Sequence, residues 1–582
     1  MRFPRPGAGL DLRVVAGFVA LYCLLVLSLP FWERLLEVRP LLTFGDGLRL
    51  LTFGLFAYCA ILLFLLPLIV VPPLGAPLLA LVLVAAALAS YFGDAYGVLI
   101  DRVMIRNVLA TDPGESTELL NGRLLVRVGL LGIVPALVVL LLPRARDGWR
   151  RATLRWLAAF GLAIAGVALA AALHYKDHAA LLREHRELRQ MLVPVNLLSA
   201  VGSYIHEETR RTLPHEPVGT DVKLGRSWAG ASKARPRVVV LIVGETARAA
   251  NFSLDGYARQ TNPQLATIPG LVNFPDVTAC GTSTAISVPC MFSGLGRAAF
   301  EPNRARARDN LLDIVARAGF EVRWYGNNTT CKGICKVAPQ LRPDPVGHPD
   351  LCLPGRPCMD GAMFEDFERG FQSLGPRSLI VLHMLGSHGP GYHLRYPEAF
   401  GRFQPACRET DFSRCTVPEL VNAYDNTLLY SDHLLARAIR FLEGMSDRVD
   451  SALLFVSDHG ESLGEGGLFL HAMPYAIAPD VQLKVPMVFW ASPGFSSRLG
   501  ADPACVARQR VLPAACREYG DHACFRPGRR LNGAARRSAP PSAGSARRCP
   551  RLRRGAGHQV RRRQFRRRSG QSRGTNGSRP PR

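Results

Sequence analysis

The chain has 582 residues and a formal net charge of +25, and nearly half of its residues are apolar. The apolar residues crowd the amino end, which excludes a wholly soluble protein. Residues 501–582 contain 22 Arg, no Lys and three acidic residues and so carry +19 of the charge, and the nearly neutral remainder excludes a basic nucleic-acid-binding protein.

Long apolar runs come first along the chain. Each is close to the length that crosses the hydrocarbon core of a bilayer. They predict a transmembrane domain of five helices over residues 1–175, with spans at about 14–30, 50–71, 74–92, 128–142 and 156–173. The first run is not interpreted as a cleaved signal peptide, because it lacks a small-residue cleavage site and further spans follow it.

The distribution of Arg predicts the orientation in the membrane. Arg2, Arg5 and Arg13 precede the first span, and the loop "RARDGWRRATLR" separates the fourth span from the fifth. Both are expected on the cytoplasmic side, where basic residues accumulate. With five spans, everything after residue 175 lies on the opposite side. In a Gram-negative bacterium this places the protein in the inner membrane, with its carboxyl-terminal part in the periplasm.

A connecting region follows the last span. Residues 176–213 are charged and amphipathic and predict a bridging helix at the membrane surface. Residues 214–236 are polar, contain Pro and Gly, and are interpreted as a linker. Residues 176–236 therefore form the second part of the predicted domain organisation.

Strand-like and helix-like segments alternate from residue 237 onwards. This pattern is typical of a largely parallel sheet that is covered on both faces by helices. It predicts an α/β catalytic domain over residues 237–510, with strands "RVVVLIV" (237–243), "FEVRWYG" (320–326), "SLIVLHML" (378–385) and "SALLFVS" (451–457).

Eight cysteines of this domain occur as close pairs. Pairing of neighbours predicts four local disulfides and an oxidising compartment. A zinc ribbon fits poorly, because these cysteines contain no CxxC pair. The pairs are Cys280/Cys290, Cys331/Cys335, Cys352/Cys358 and Cys407/Cys415.

Carboxylate and imidazole groups follow two of the predicted strands. Glu245 ends the first strand, and Asp458 and His459 end the last one. Sites of open α/β sheets gather at the carboxyl ends of strands, and these ligand types suit zinc. These residues by themselves support a metal site no more than the alternatives, in which Glu245 caps a helix and Asp458 and His459 lie in a surface loop. The similar pair Asp432 and His433 lies within a helix pattern and is predicted to face solvent.

Hydroxyl groups crowd the turn in "CGTSTAISVPCMFSG", which holds Thr282, Ser283 and Thr284. A hydroxyl at a helix N-terminus meets a phosphate under a favourable dipole, and an adjacent metal makes it a nucleophile. The alternative is an ordinary helix N-cap.

Several longer blocks resemble one enzyme family. They are "VGETARAANFSLDGYARQTNP", "CGTSTAISVPCMFS", "NNTTCKGIC", "GSHGPGYHLRYP", "NAYDNTLLYSDHLL" and "SDHGESLGEGGLFLHAMPY". The chain resembles the lipid A phosphoethanolamine transferases from its first span to about residue 500. These are inner-membrane enzymes with a sulfatase-like catalytic domain of the alkaline phosphatase superfamily, and the colistin-resistance enzymes belong to them.

The resemblance implies roles for residues by position. Thr284 matches the nucleophile, and it shares one zinc ion with the other matching ligands, Glu245, Asp458 and His459. Two histidines match residues beside the transferred phosphate, where some members hold a second zinc: His388 and His471. Further residues match positions that bind the substrate: Asn107, Thr111, Glu115, Asn328 and Lys332.

The implied reaction moves phosphoethanolamine from phosphatidylethanolamine to a phosphate of lipid A in lipopolysaccharide. It proceeds through a phosphothreonine and confers polymyxin and colistin resistance, and a monomer without nucleic acid is expected. One alternative is transfer of phosphoethanolamine or phosphoglycerol to another envelope glycan. Others are a hydrolase with the same metal site, although a C/S-x-P-x-R sulfatase motif is absent, and a folding-defective member of the family.

The last segment departs from the family pattern. Residues 511–582, with stretches such as "RRLNGAARRSAPPSAGSARRCPRLRRGAG", lack apolar periodicity and predict a disordered, low-complexity tail. Translation in a shifted frame is the favoured interpretation. The alternative is a polybasic tail that binds anionic lipopolysaccharide or nucleic acid.

Overall fold

A computed structural model of the chain describes residues 9–110, 119–145, 148–185, 187–209, 213–225, 228, 235–328, 330–354 and 356–499. Its amino-terminal part is built from helices. They are α1 Leu12–Tyr22, α2 Leu29–Val38, α3 Phe44–Leu65, α4 Pro72–Tyr96, α5 Arg102–Ala110, α6 Gly122–Val128, α7 Val134–Leu141, α8 Trp149–Glu184, α9 Glu187–Met191 and α10 Val195–Thr209.

Four stretches among the described residues are long and apolar enough to cross a membrane. They are Phe44–Ile69, Pro73–Tyr96, Gly122–Leu141 and Trp149–His174. A fifth span is counted only if the helical segments Leu12–Leu27, which begins with α1, and Leu29–Val38, which is α2, are taken together across a bend of 60°. The helical transmembrane domain is therefore confirmed, with four to five spans.

The first predicted span is bent rather than straight. Ser28 leaves the helical conformation at φ −105° and ψ 32°, and its hydroxyl donates a hydrogen bond to the Cys23 carbonyl oxygen. Pro30 then stands within the first turn of α2, where its missing N–H and its ring interrupt the hydrogen-bond ladder from α1. The apolar composition predicted the span, but it did not reveal this break.

The α/β part contains the predicted sheet. Its strands are β1 Arg237–Gly244, β2 Val272–Thr278, β3 Glu321–Gly326, β4 Gln340–Leu341, β5 Arg377–His383, β6 Asp450–Ser457, β7 Ser462–Leu463, β8 Phe469–Leu470 and β9 Lys484–Ala491. Seven of them form one sheet in the order β2-β9-β6-β1-β5-β3-β4. The strands β6, β1, β5, β3 and β4 run parallel, whereas β9 is antiparallel to its neighbours β6 and β2.

Helices cover both faces of this sheet. They are α11 Thr284–Ser293, α12 Gly296–Ala299, α13 Pro302–Ala307, α14 Leu311–Arg317, α15 Asp360–Gly370, α16 Val417–Gly444, α17 Asp480–Leu483 and α18 Pro493–Leu499. Alternate strand residues enter different cores, since successive side chains point to opposite faces. Ile380 and Leu382 pack in the core that contains α16, and Leu379 and Val381 pack in the core that contains α11. The α/β fold with a largely parallel sheet covered on both faces, predicted from the sequence, is confirmed.

Asp432 corrects one prediction about the long helix α16. It was expected to face solvent, yet its side chain is buried. Its carboxylate accepts hydrogen bonds from the backbone N–H groups of Gln264 and Leu265, at 2.8 and 2.9 Å. Because α16 is enclosed by loops, its polar residues bind the backbone of those loops instead of water.

The cysteine pairs form four disulfides, Cys280–Cys290, Cys331–Cys335, Cys352–Cys358 and Cys407–Cys415. The two other described cysteines, Cys23 and Cys59, are buried in the helical part.

Candidate active site and metal centre

The site begins where two neighbouring parallel strands end. Gly244 of β1 lies opposite Ser457 of β6, and the backbone N–H of Asp458 donates to the Gly244 carbonyl oxygen at 3.0 Å. This register places the residues that follow the two strands side by side, because both strands end at the same edge of the sheet. Glu245, Asp458 and His459 are fully buried, and their ligand atoms lie within 4.8 Å of one another.

Thr284 joins this group from the opposite side. It is the first residue of α11, after Ser283 as the N-cap residue. Its Oγ1 lies 3.1 and 3.0 Å from the two carboxylate oxygens of Glu245 and 3.4 Å from His459 Nε2. A hydroxyl at a helix N-terminus is thus held among metal-binding side chains, where the helix dipole favours an anionic ligand.

The charged side chains of this group shift one another's pKa values. Burial alone would raise the pKa of Glu245, but the hydrogen bond and charge of His459 hold that pKa well below its usual range. Burial and the charge of Glu245 raise the pKa of Asp458. Burial would lower the pKa of His459, yet the charges of Asp458 and Glu245 raise it. Two buried carboxylates therefore compete for a single cationic partner.

This group fits a divalent metal ion. Asp458 Oδ2 is buried and accepts no hydrogen bond from any described residue, and its nearest cationic neighbour is His459 Nε2 at 3.4 Å. A buried carboxylate oxygen without a donor is costly, and a cation between the two acids removes that cost. Two carboxylates, one imidazole and one hydroxyl are a donor set that zinc accepts. Residues Glu245, Thr284, Asp458 and His459 could hold the ion.

The backbone next to Glu245 is strained and closely packed. Thr246, directly after Glu245, adopts φ 53°, a left-handed conformation that is rare for a β-branched residue. Its carbonyl oxygen accepts a hydrogen bond from Tyr424 at 2.7 Å. Gly386 faces Glu245, and a Cβ at Gly386 would lie 2.6 Å from the Glu245 carbonyl oxygen. The surrounding packing thus imposes the conformation at which Glu245 enters the site.

Asn328 approaches from the end of β3. Its Nδ2 donates to Glu245 Oε2 at 2.6 Å and to the Met384 carbonyl oxygen at 3.3 Å. Lys332 lies in the turn closed by the Cys331–Cys335 disulfide, with φ 50°. The structure thus brings Asn328 to the metal-binding group and places Lys332 four residues further along the same loop.

Two histidines lie near His459, with their rings in edge-on and tilted contacts. The ring centroids of His388 and His471 are 5.4 Å apart, and those of His459 and His471 are 4.4 Å apart. Burial lowers the pKa of His388 to about 3, so this ring is neutral at physiological pH. The structure brings both predicted histidines next to the metal-binding group.

Sequence reasoning missed Glu461. Its buried carboxylate accepts hydrogen bonds from His471 Nδ1 and from the Tyr392 hydroxyl, both at 2.8 Å. His459, Glu461 and His471 form a second group that could hold a metal ion. The resemblance suggested His388 and His471 for a second ion. The signal for Glu461 was available, since it stands three residues after Asp458 in the quoted block "SDHGES".

Asp360 was missed as well. Its buried carboxylate accepts hydrogen bonds from the backbone N–H groups of Leu385 and Gly386, both at 2.8 Å. It therefore fixes the loop that leads from β5 to His388. No local pattern marks this role, because Asp360 opens a helix in a separate segment of the chain.

The predicted membrane-side residues are only partly described. Asn107 lies on α5, which packs against α11 and therefore close to the helix of Thr284. Thr111 and Glu115 lie outside the described residues.

Fold and site together define a membrane-anchored enzyme with a sulfatase-like catalytic domain. A family model described as "Sulfatase" matches residues 237–513, and one described as "Phosphoethanolamine transferase EptA/EptB" matches residues 58–209. The chain belongs to the phosphoethanolamine transferase family, and it is an enzyme of that kind.

Individual relatives show this membership directly. The chain is 38% identical over 492 residues to the phosphoethanolamine transferase EptA of Escherichia coli K12, covering 84% of this chain and 89% of the relative. It is 35% identical over 486 residues to the phosphatidylethanolamine transferase Mcr-1 of Escherichia coli, covering 82% and 89%. The solved structure of the integral membrane lipooligosaccharide phosphoethanolamine transferase A from Neisseria meningitidis is 36% identical, with a TM-score of 0.80, covering 85% of this chain and 91% of that one.

Proposed function

We propose that this enzyme transfers phosphoethanolamine from phosphatidylethanolamine to a phosphate of lipid A, with Thr284 as the nucleophile. The observation that carries the proposal is the position of Thr284 Oγ1, about 3 Å from both oxygens of Glu245 and 3.4 Å from His459 Nε2. A relative named a Kdo(2)-lipid A phosphoethanolamine transferase, 30% identical over 312 residues, supports the acceptor class.

The reaction is a double displacement at phosphorus. Thr284 Oγ1 attacks the phosphorus of the donor lipid, the P–O bond to diacylglycerol breaks, and the diacylglycerol oxygen takes up a proton. A lipid A phosphate oxygen then attacks the phosphorus of the phosphothreonine, the bond to Oγ1 breaks, and Oγ1 takes up a proton. Glu245, Thr284, Asp458 and His459 would hold a zinc ion, which would polarise the hydroxyl and the phosphoryl oxygens as a Lewis acid.

The chain's own residues move the protons and hold the substrate. His388, whose ring centroid lies 5.4 Å from that of His471, is the proposed acceptor of the Thr284 proton. His471, which Glu461 orients, donates a proton to the leaving oxygen. Asn328 and Lys332 hold the phosphoethanolamine group. Asn107 is proposed to bind the lipid donor, as are Thr111 and Glu115, which lie outside the described residues.

The proposed setting is the bacterial inner membrane, with residues 1–175 in the bilayer, 176–236 as the connection, and 237–510 as a periplasmic catalytic domain. The arginine-rich loop after the fourth span and the four disulfides support this orientation. Lipid A that carries phosphoethanolamine has less negative charge, so polymyxin resistance follows from the same activity. We propose a monomer with one zinc ion, and a second at His459, Glu461 and His471 when zinc is abundant.

Trapping of the intermediate tests the proposal. Purified enzyme is incubated with phosphatidylethanolamine without acceptor, and its peptides are mapped by mass spectrometry. We expect phosphoethanolamine on Thr284, its loss after lipid A is added, and its absence from Thr284→Ala. Thr284→Ser is the matched control, since it keeps a hydroxyl and should still be labelled. Labelling at another residue, or product formation by Thr284→Ala, would contradict the proposal.

A further inference from the structure

A cluster of charges joins the membrane-side helices to the catalytic half. Arg106 of α5 lies 3.2 Å from Glu207 and 3.4 Å from Glu208, which both belong to α10. Glu208 also receives two hydrogen bonds from Arg306 of α13, at 3.0 and 2.8 Å. Glu208 thus connects an arginine of the membrane-side part with an arginine of the catalytic half, and we name this set of three the Glu208 bridge.

The bridge is partly buried at its membrane-side end. The side chain of Arg106 is 13% exposed, that of Glu208 is 30% exposed and that of Arg306 is 52% exposed. Arg306 binds Glu208 through two hydrogen bonds, in the bidentate geometry that makes arginine–carboxylate pairs strong. The hydrogen bond from Arg306 holds the pKa of Glu208 below its usual range, so Glu208 is charged at neutral pH. Asn303 of α13 adds a hydrogen bond to the Glu207 carbonyl oxygen at 2.8 Å.

Two of the three bridged helices pack against the helix of the nucleophile. The helix α5, which carries Asn107 next to Arg106, packs against both α10 and α11. On the catalytic side, α13 also packs against α11, the helix that Thr284 begins. The bridge therefore links α5, which carries Asn107, to the helix that Thr284 begins.

We propose that Glu208 is a positioning residue, which holds α5 against the catalytic half so that the headgroup of a bilayer lipid reaches Thr284. This inference rests on the proposed function. It concerns delivery of the donor from the bilayer and leaves the chemistry at Thr284 unchanged. Loss of the bridge should therefore affect a membrane donor and spare a soluble one.

The experiment compares two donors with the full chain. Release of diacylglycerol is measured from phosphatidylethanolamine in proteoliposomes and from dihexanoyl phosphatidylethanolamine as monomers in solution. In Glu208→Gln and in Arg306→Gln, we expect KM for the bilayer donor to rise roughly fivefold, the upper range for a partly exposed ion-pair network. The kcat and KM for the soluble donor should stay within twofold of wild type.

Arg304→Gln is the matched control. Arg304 lies on the same helix with similar exposure, 43% against 52% for Arg306, but it pairs with Glu216 at 3.3 Å instead of Glu208. It should leave KM for both donors unchanged. The double variant Glu208→Gln with Arg306→Gln should lose no more than Glu208→Gln alone, because Glu208→Gln already removes the contact with Arg306.

Each contrary outcome is informative. Equal losses on both donors would show damage to the site itself, and an unchanged KM for the bilayer donor would show that the bridge positions nothing. Either result overturns the inference. A wild-type enzyme that releases diacylglycerol from neither donor would instead refute the proposed function.

Discussion

Replacement of Glu461 by Gln should slow the enzyme without unfolding it. The buried carboxylate of Glu461 accepts hydrogen bonds at 2.8 Å from His471 Nδ1 and from the Tyr392 hydroxyl. Its position is fixed by the backbone, since its own N–H donates to the Val481 carbonyl oxygen at 2.9 Å. Gln preserves the shape and one acceptor but removes the negative charge that stabilises His471 when that ring takes up a proton.

The magnitude follows from the change in hydrogen-bond type. A hydrogen bond to a charged group contributes about 1.5–3 kcal/mol and a neutral one about 0.5–1.5 kcal/mol, so the expected loss is about 1–2 kcal/mol. This converts to a roughly 5- to 30-fold decrease in kcat/KM. The assay is transfer of phosphoethanolamine by purified enzyme, accompanied by thermal melting to verify the fold.

Tyr392→Phe is the control for this prediction. It removes the other hydrogen bond to Glu461 but leaves the carboxylate on His471, so it should decrease kcat/KM less than Glu461→Gln does. The reasoning fails if Glu461→Gln keeps more than half of the wild-type kcat/KM, or if the two variants are equally impaired.

Three further predictions concern stability, metal and the carboxyl-terminal segment. Burial raises the pKa of Asp432 to about 6, so the folded protein keeps a proton that the unfolded chain releases near pH 4. Wild type should therefore lose about 2–3 kcal/mol of stability relative to Asp432→Asn as the pH rises from about 4 to about 6. Thermal melting of both proteins across that pH range measures this difference. A relative stability that is flat or rises with pH would contradict this. A chelator should lower both the Tm and the transfer rate, since two buried carboxylates lose their shared cation, and added zinc should restore both; full activity in chelator would exclude the metal site. Deletion of residues 511–582 should leave the Tm unchanged and the transfer rate within twofold of wild type, and a loss of activity would show that this segment is functional.

Four of the five parallel strands were predictable because each is a short, continuous apolar run between helical segments, whereas the two-residue strand β4 was not recognised. All four predicted strands lie in the sheet as β1, β3, β5 and β6. The antiparallel strands β2 and β9 were not recognised. Pro275 and Pro486 interrupt their patterns, and the pairing of β2 shifts between Phe274 and Val277, directly at Pro275. Proline breaks the alternation that identifies a strand, although these positions tolerate it.

The site was predictable to the extent that its residues follow strands or stand in motifs. Glu245, Asp458 and Thr284 could be placed together because parallel strands and a helix N-terminus converge at one edge. Residues that support them from a distance could not be found in this way. Asp360 binds backbone groups 25 and 26 residues away, and Asp432 binds backbone groups 167 and 168 residues away. Such contacts depend on how the chain closes, and no local pattern encodes them.

Mass spectrometry of lipid A is the most direct test of the central claim. Lipid A is extracted from Gram-negative cells that produce the wild-type chain or Thr284→Ala at equal levels in the membrane. The proposed function predicts lipid A that is heavier by one phosphoethanolamine group in wild-type cells and unmodified lipid A in Thr284→Ala cells. Unmodified lipid A in both strains, or the same modification in both, would contradict it.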